Sequence, residues 1–362
     1  MENNTLNIKI SEKPAYSYPI IIGQDLDFFE YIKKYTKAKK LLIVTNKTIF
    51  SLYEDRIKAD NAHYVILEDG EEYKNFDSLK KILDTAIENR LERRDCFIAF
   101  GGGVIGDVTG FAAASYLRGV DFIQIPTTLL AQVDSSVGGK VAINHEKGKN
   151  LIGAFYQPKA VLADTNLLKT LDKRQLKTGL AEVLKYAFIE KSCGAELNYR
   201  FYDFLDAYSE KILKLDSIIL EKLILICCTL KASVVEKDET EKGLRAVLNF
   251  GHTFAHAIEN LTGYTKYTHG EAVAAGMIMA AKLALKLEMI ERSYFVKINE
   301  LINKYELLPE LPGFDKEEFI KAMHLDKKAD ADKIRFILPD SEFSVKMVAD
   351  IDEKLIKECI EI

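Results

Sequence analysis

Between Arg245 and Glu271 the chain places His252, His256 and His269, half of its six histidines, together with an arginine, two asparagines and two carboxylates. Imidazole both ligates transition metals and carries protons near neutral pH, so this density of side chains points to a metal-dependent or proton-transferring centre. His252 and His256 are four residues apart and share one face of a helix. That spacing allows an i, i+4 chelate. A lone histidine is ordinarily a hydrogen-bonded core or surface residue. Three together, with Gly251 and Gly270 beside two of them, suggest a built site.

Two further stretches suit anions. Gly101-Gly-Gly103-Val-Ile-Gly106-Asp107 falls between an expected strand ending at Phe100 and a helix expected to begin near Asp107. Such a turn lets the backbone approach a pyrophosphate and aims free N–H groups at it. It follows a third or fourth strand, and Asp121 begins a strand, so a nucleotide would lie differently from the usual dinucleotide complex. The second stretch runs from Ile125 through Thr127, Thr128, Asp134, Lys140 and Asn144 to Lys149, Asn150 and Pro158. Its small polar residues, glycines and lysines make poor core and a good loop-like anion cradle. With Arg118, Lys231 and Arg245 it could surround a phosphorylated, carboxylate-bearing small molecule.

Elements that would position these residues differ between the halves of the chain. Lys40–Asn46, Ala62–Glu68, Cys96–Gly101, Phe122–Pro126 and Ala160–Asp164 have the apolar runs of buried strands, and Phe76–Asn89 has helical spacing. Alternation of this kind predicts a parallel sheet with right-handed crossovers. Beyond Leu167 the strand signal fades, and helices are expected over 175–190, 216–236, 250–261, 271–287 and 291–305. The boundary is set at 164/165, giving an α/β domain over 1–164 and a mostly helical domain over 165–362.

Composition excludes several classes. A net charge of −5 gives no footprint for nucleic acid. The start MENNTLNIKI lacks the pattern of a signal peptide, and the longest apolar stretch, Ala272–Ala281, is half a membrane span. The expectation is a cytoplasmic protein with no membrane partner. Five cysteines, without a CxxC spacing, are expected as reduced packing thiols.

Taken together, GGGVIGDVTGFAAASYLRGVDFIQIPTTLLAQVDSSVGGK, GKNLIGAFYQP, GLAEVLKYAFI, LNFGHTFAHAIE and HGEAVAAGM closely resemble the 3-dehydroquinate synthases in order and spacing, over nearly the whole chain. The resemblance implies an N-terminal Rossmann-like α/β domain that binds NAD, a mostly α-helical C-terminal domain that holds one Zn2+ or Co2+, and a cleft between them in a homodimer. The metal ligands it implies are Glu182, His252 and His269, with His256 kept for protons. For NAD it points to Asn46, Asp69, Glu71, Lys74, the run Gly102, Gly103, Val104, Ile105, Gly106 and Asp107, then Thr127, Thr128, Lys140 and Lys149, and finally Leu167, Leu168, Lys169 and Thr170. For substrate it points to Asp134, Lys140, Asn150, Lys185, Lys231, Glu241, Arg245, Asn249 and His256, with Arg118 reaching the neighbouring subunit and Lys327 or Lys328 closing over the ligand.

The implied reaction takes 3-deoxy-D-arabino-heptulosonate 7-phosphate through transient oxidation at C5, phosphate elimination, return of the hydride, ring opening and aldol closure. Other sugar-phosphate cyclases share the NAD and metal motifs. Metal-dependent glycerol or alcohol dehydrogenases share the glycine turn but would lack the VDSSVGGK and GKNLIGAF stretches. A non-enzymatic NAD-sensing module would have no need of the metal ligands.

Overall fold

The computed structural model describes residues 17–241, 243–325 and 334–360; Lys327 and Lys328 lie outside them. The first half runs β1 (Ile20–Gly23), α1 (Phe28–Tyr35), β2 (Leu41–Asn46), α2 (Lys47–Ile57), β3 (Ala62–Leu67), α3 (Phe76–Glu88), β4 (Cys96–Gly101), α4 (Gly103–Ser115), β5 (Asp121–Pro126), β6 (Lys140–His145), β7 (Gly148–Phe155) and β8 (Ala160–Asp164). The second runs α5 (Lys173–Phe188), α6 (Glu190–Cys193), α7 (Phe201–Leu213), α8 (Ser217–Lys237), α9 (His252–Leu261), α10 (His269–Lys286), α11 (Arg292–Lys304), α12 (Lys316–Leu325), β9 (Phe336–Ser341), β10 (Ser344–Val348) and α13 (Glu353–Lys357).

Six strands form a parallel sheet in the order β1-β8-β5-β4-β2-β3. Its inner strands are apolar along their length because both faces are covered. Alternate residues of β2 and β4 feed two cores. Leu42, Val44, Phe97 and Ala99 meet Ile82 of α3 and Val108 and Ala112 of α4. Leu41, Ile43, Ile98 and Phe100 meet Phe28 and Ile32 of α1 and Ile57 of α2. Each fully buried aliphatic or aromatic side chain contributes about 1.5–3 kcal/mol, so the strand ends that carry site residues stand on a stiff base.

Two hairpins depart from the sequence expectation. The stretch read as a loop-like cradle contains an antiparallel hairpin, β6 with β7. β9 and β10 form another, in the region read as helical. β6, β7 and β10 interleave polar residues with apolar ones, which masks a strand whose one face is wet, whereas β9 opens on the buried run Phe336-Ile337-Leu338. The helix after the glycine turn begins at Gly103, earlier than the Asp107 expected.

At the centre of the helical half, α10 is buried from Gly270 to Ala284 except at Glu271 and Lys282. A helix that is apolar on nearly all sides belongs in the interior. It packs on α9 and α5. Gly270 permits one of these contacts, because a Cβ there would sit 2.4 Å from the Thr178 Cα of α5. Gly251, at φ +81°, turns the chain into α9 where a side chain would strike Met277.

Candidate active site

Three helices bring one ligand each to a common point. Glu182 is buried midway along α5, while His252 and His269 are the first residues of α9 and α10. One ligand atom from each lies within 4.8 Å of the others. Glu182 Oε1 is 3.6 Å from His252 Nε2 and 3.6 Å from His269 Nε2. A tetrahedral ion with bonds of about 2.1 Å has ligand–ligand edges of about 3.4 Å, so these separations fit one small divalent cation. Glu182 Oε1 is also buried with no hydrogen-bond partner, a costly state for a carboxylate oxygen that a cation would relieve. His252 Nδ1 lies 3.1 Å from the Phe250 carbonyl oxygen. A carbonyl only accepts, so Nδ1 carries the proton and Nε2 keeps the lone pair that a metal requires.

The start of α10 is fixed by a capping box between Thr268 and Glu271. Arg174, in the first turn of α5, donates to both carboxylate oxygens of Glu271 at 2.8 Å and to the Lys266 carbonyl at 2.7 Å. The clamp ties the helix carrying Glu182 to the helix carrying His269. Glu259, buried in α9, stands 3.6 Å from His269 Nδ1 and 3.4 Å from Lys149 Nζ.

Charges in the centre are strongly coupled. Burial holds His252 down at about 3, aided by Lys185, His269 and His256, so its ring is neutral. Burial opposes charge on His269 too, but Glu182 and Glu259 outweigh it and bring the ring up to about 10. Two imidazoles share one carboxylate here, and the ring with the second carboxylate takes the proton. Burial raises Glu182, yet Lys185 and the two imidazoles hold it well below the carboxylate range.

Lys185 also links this centre to a cluster of buried cations. Its ammonium pairs with Glu182 and feels Asp134. Asp134 sits on a π-helical turn, Ala131–Ser135, and accepts from Tyr186 Oη at 2.5 Å. Lys231 of α8 lies 3.0 Å from Asp134 Oδ1 and donates to the Asp134 carbonyl at 2.6 Å. Burial raises Asp134, but Lys231 and Lys185 outweigh it and bring it to about 2. Burial pulls Lys231 below its ordinary value, and Asp134 only partly offsets this. Arg245 is buried and donates to the Glu239 carbonyl at 2.7 Å. Lys140 pairs with Glu241. Such a group of cations on fixed carbonyls and carboxylates suits phosphate and carboxylate ligands.

The expected nucleotide-binding residues lie along the C-terminal ends of the sheet strands. No side chain caps the start of α4 at Gly102 and Gly103, so its first N–H groups remain for an anion. Val104, Ile105, Gly106 and Asp107 are the next residues of this helix. The Thr127 N–H donates to the Gly101 carbonyl at 3.0 Å, and Thr128 Oγ1 accepts from Ala131 N at 3.2 Å. Lys74 Nζ is 2.5 Å from both Asp107 Oδ2 and Asn150 Oδ1, joining the glycine turn to the β6–β7 hairpin. Burial raises Asp107, and Lys74 only partly counters it. Glu71 accepts from Asn144 Nδ2 at 2.8 Å. Asn46 pairs with Asp69. Thr170 Oγ1 is 2.6 Å from Tyr53 Oη, within a short 3-10 helix that carries Leu167, Leu168 and Lys169.

His256 is beside the triad, its ring centroid 5.7 Å from that of His252, but it is outside the ligand cluster. Glu182, rather than His256, lies with His252 and His269 close enough to share one ion. Arg118 is exposed on a turn at φ +65°, and Asn249 is exposed beside Phe250. Neither is drawn into the clusters above. Sequence reasoning gave no role to Glu259, Arg174, Thr268 or Tyr186. Glu259 follows His252 by seven residues, two helical turns, so its place on the same face was available as a signal.

Family models match both parts of the chain, one described as 3-dehydroquinate synthase N-terminal over residues 64–178 and one as 3-dehydroquinate synthase C-terminal over residues 179–329. The chain is 48% identical over 351 residues to a 3-dehydroquinate synthase of Shewanella pealeana, covering 95% of this chain and 96% of that protein. It is 46% identical to one of Nitrosospira multiformis, covering 99% and 98%. Among solved structures, a 2-deoxy-scyllo-inosose synthase complexed with carbaglucose-6-phosphate, NAD+ and Co2+ superposes with a TM-score of 0.83 at 30% identity, covering 94% of this chain and 95% of that one. A glycerol dehydrogenase from Schizosaccharomyces pombe, at 17% identity, covers 97% of this chain and 90% of that one and shares the fold with a TM-score of 0.67. Among the described residues no helix is long and apolar enough to cross a membrane.

Proposed function

Because the chain belongs to the 3-dehydroquinate synthase family, we infer that it is the lyase of the shikimate pathway that converts 3-deoxy-D-arabino-heptulosonate 7-phosphate to 3-dehydroquinate and phosphate. The observation that carries this reading is the orphaned Glu182 Oε1, set between two imidazoles and joined through Lys185 to the Asp134 and Lys231 ion pair. Glu182, His252 and His269 would hold Zn2+ or Co2+, and the cofactor NAD would lie along Asn46, Asp69, Lys74, the start of α4 and Leu167 to Thr170. When bound, the ion supplies Lewis acidity at a substrate hydroxyl, and NAD supplies a reversible hydride acceptor.

The protein's own residues then hold and move groups. Lys140, Asn150, Lys231 and Arg245 bind the phosphate and carboxylate, and their fixed partners keep them aimed without help from substrate. Asp134, held ionised by Lys231 and Lys185, keeps Lys231 in place. His256, at the edge of the ligand triad, handles the ring-opening proton with the Asn249 region. Arg118, exposed on its turn, completes the site of a second subunit in a homodimer. A division at 164/165 is supported by the end of β8 at Asp164, and a cytoplasmic location by five buried, unpaired cysteines.

The carboxylate-bearing substrate separates this reading from other cyclases. Incubation with NAD+, Zn2+ and 3-deoxy-D-arabino-heptulosonate 7-phosphate, followed by NMR, should show 3-dehydroquinate, while a heptulose 7-phosphate without the carboxylate should persist. The reverse preference would assign the chain to another sugar-phosphate cyclase.

A further inference from the structure

Glu259 is a buried carboxylate to which the mechanism above gives no task. It lies near the end of α9, 5% exposed, two turns beyond His252. A charge so placed is costly unless neighbours compensate it. Its neighbours are His269 Nδ1 at 3.6 Å and Lys149 Nζ at 3.4 Å, both on the same oxygen, Oε1. Lys149 comes from β7 of the hairpin and also lies 4.3 Å from the centre of the Tyr264 ring, just past the end of α9. One oxygen therefore touches a ligand of the metal centre and the hairpin that carries nucleotide and substrate contacts.

The two nitrogens of His269 face different carboxylates, Nε2 toward Glu182 and Nδ1 toward Glu259, each at 3.6 Å. The Glu259 contact is longer than a hydrogen bond, so it orients the ring by charge. With Nδ1 facing Glu259, Nε2 is the nitrogen turned toward Glu182 and would face the ion. Outer carboxylates of this kind fix the tautomer of a ligating histidine and raise its basicity. A purely structural carboxylate in α9 would need only the lysine. Contact with the free ring nitrogen of a ligand is what sets this one apart.

We propose that Glu259 is a positioning residue that orients His269 for the metal and docks Lys149, so that placement of the β6–β7 hairpin and metal affinity are coupled. The proposal rests on the metal-site reading above, and its test separates the two. Zinc affinity is measured by competition with a chromophoric chelator in the full-length protein and its E259Q, E259A, K149A and H269A variants, with circular dichroism to verify folding. E259Q should bind zinc about ten- to hundredfold more weakly, and E259A at least as weakly. K149A should lower zinc affinity severalfold, and its effect should vanish in the E259Q background. Saturating NAD+ should raise zinc affinity in the parent and do so less in E259Q, which a merely structural role would not produce. E259Q is nearly isosteric and decides the matter if E259A does not fold. Parent-like zinc binding by E259Q with H269A impaired overturns the role of Glu259 alone. Parent-like binding by H269A overturns the metal site and the proposal with it.

Discussion

Glu182 Oε1 lies 3.6 Å from His269 Nε2, across the contact between the middle of α5 and the first turn of α10. The two residues are far apart in sequence and meet because Gly270 lets the helices close to backbone distance. With His252 they would give an ion three protein ligands, the number a catalytic centre uses when it keeps a position for substrate.

Chelation should therefore abolish turnover, and Zn2+ or Co2+ should restore it. H269A should lose metal and activity together, read by elemental analysis and by rate. Full activity of a metal-free H269A protein would remove the metal from the account.

His256 should behave differently. H256A should turn over roughly 100-fold more slowly or worse, the usual size of a general acid–base contribution, while retaining stoichiometric metal. Loss of the ion from that variant would make His256 a ligand after all.

Much of this was legible in the sequence, for identifiable reasons. The strands of the sheet are buried on both faces, so Cys96–Gly101 and Ala160–Asp164 appear as unbroken apolar runs. The helices α8 and α10 carry long apolar stretches for the same reason. The β6–β7 hairpin was hidden because β7 alternates partly buried residues with exposed ones among glycines and lysines. Spacing alone could not choose between His256 and Glu182 as the third ligand, since Glu182 lies seventy residues before His252; the family resemblance made that choice. Arg174 and Glu259 went unread because their partners, Glu271 and Lys149, are set by the packing of α5, α9 and α10 against one another and the hairpin.

The start of α10 should be sensitive to its cap. T268A should lower stability by about 1 kcal/mol, measured by urea denaturation, and R174A should weaken zinc binding severalfold by loosening α5 from α10. Unchanged stability in T268A and unchanged affinity in R174A would show that the packing of α10 alone sets His269.

Asp134 predicts an acid dependence. Its carboxyl is depressed to about 2 in the folded protein, against about 3.9 in an unfolded chain. The stability it contributes is therefore complete above pH about 4 and is lost as the pH falls toward 2. D134N should be less stable than the parent at pH 5, with the gap in denaturation midpoint closing toward pH 2. A gap constant over that range would mean that Asp134 is not held ionised by Lys231 and Lys185.

In the proposed reaction, oxidation only activates the substrate and the same hydride returns. A cofactor held in a closed cleft can give its hydride back before escaping. Phosphate release and absorbance in the reduced-nicotinamide band are followed in one cuvette with 3-deoxy-D-arabino-heptulosonate 7-phosphate, Zn2+ and a catalytic amount of NAD+. One phosphate should appear per substrate consumed, with no accumulating NADH. NADH formed in step with substrate loss, without phosphate, would contradict this and make the protein an oxidoreductase.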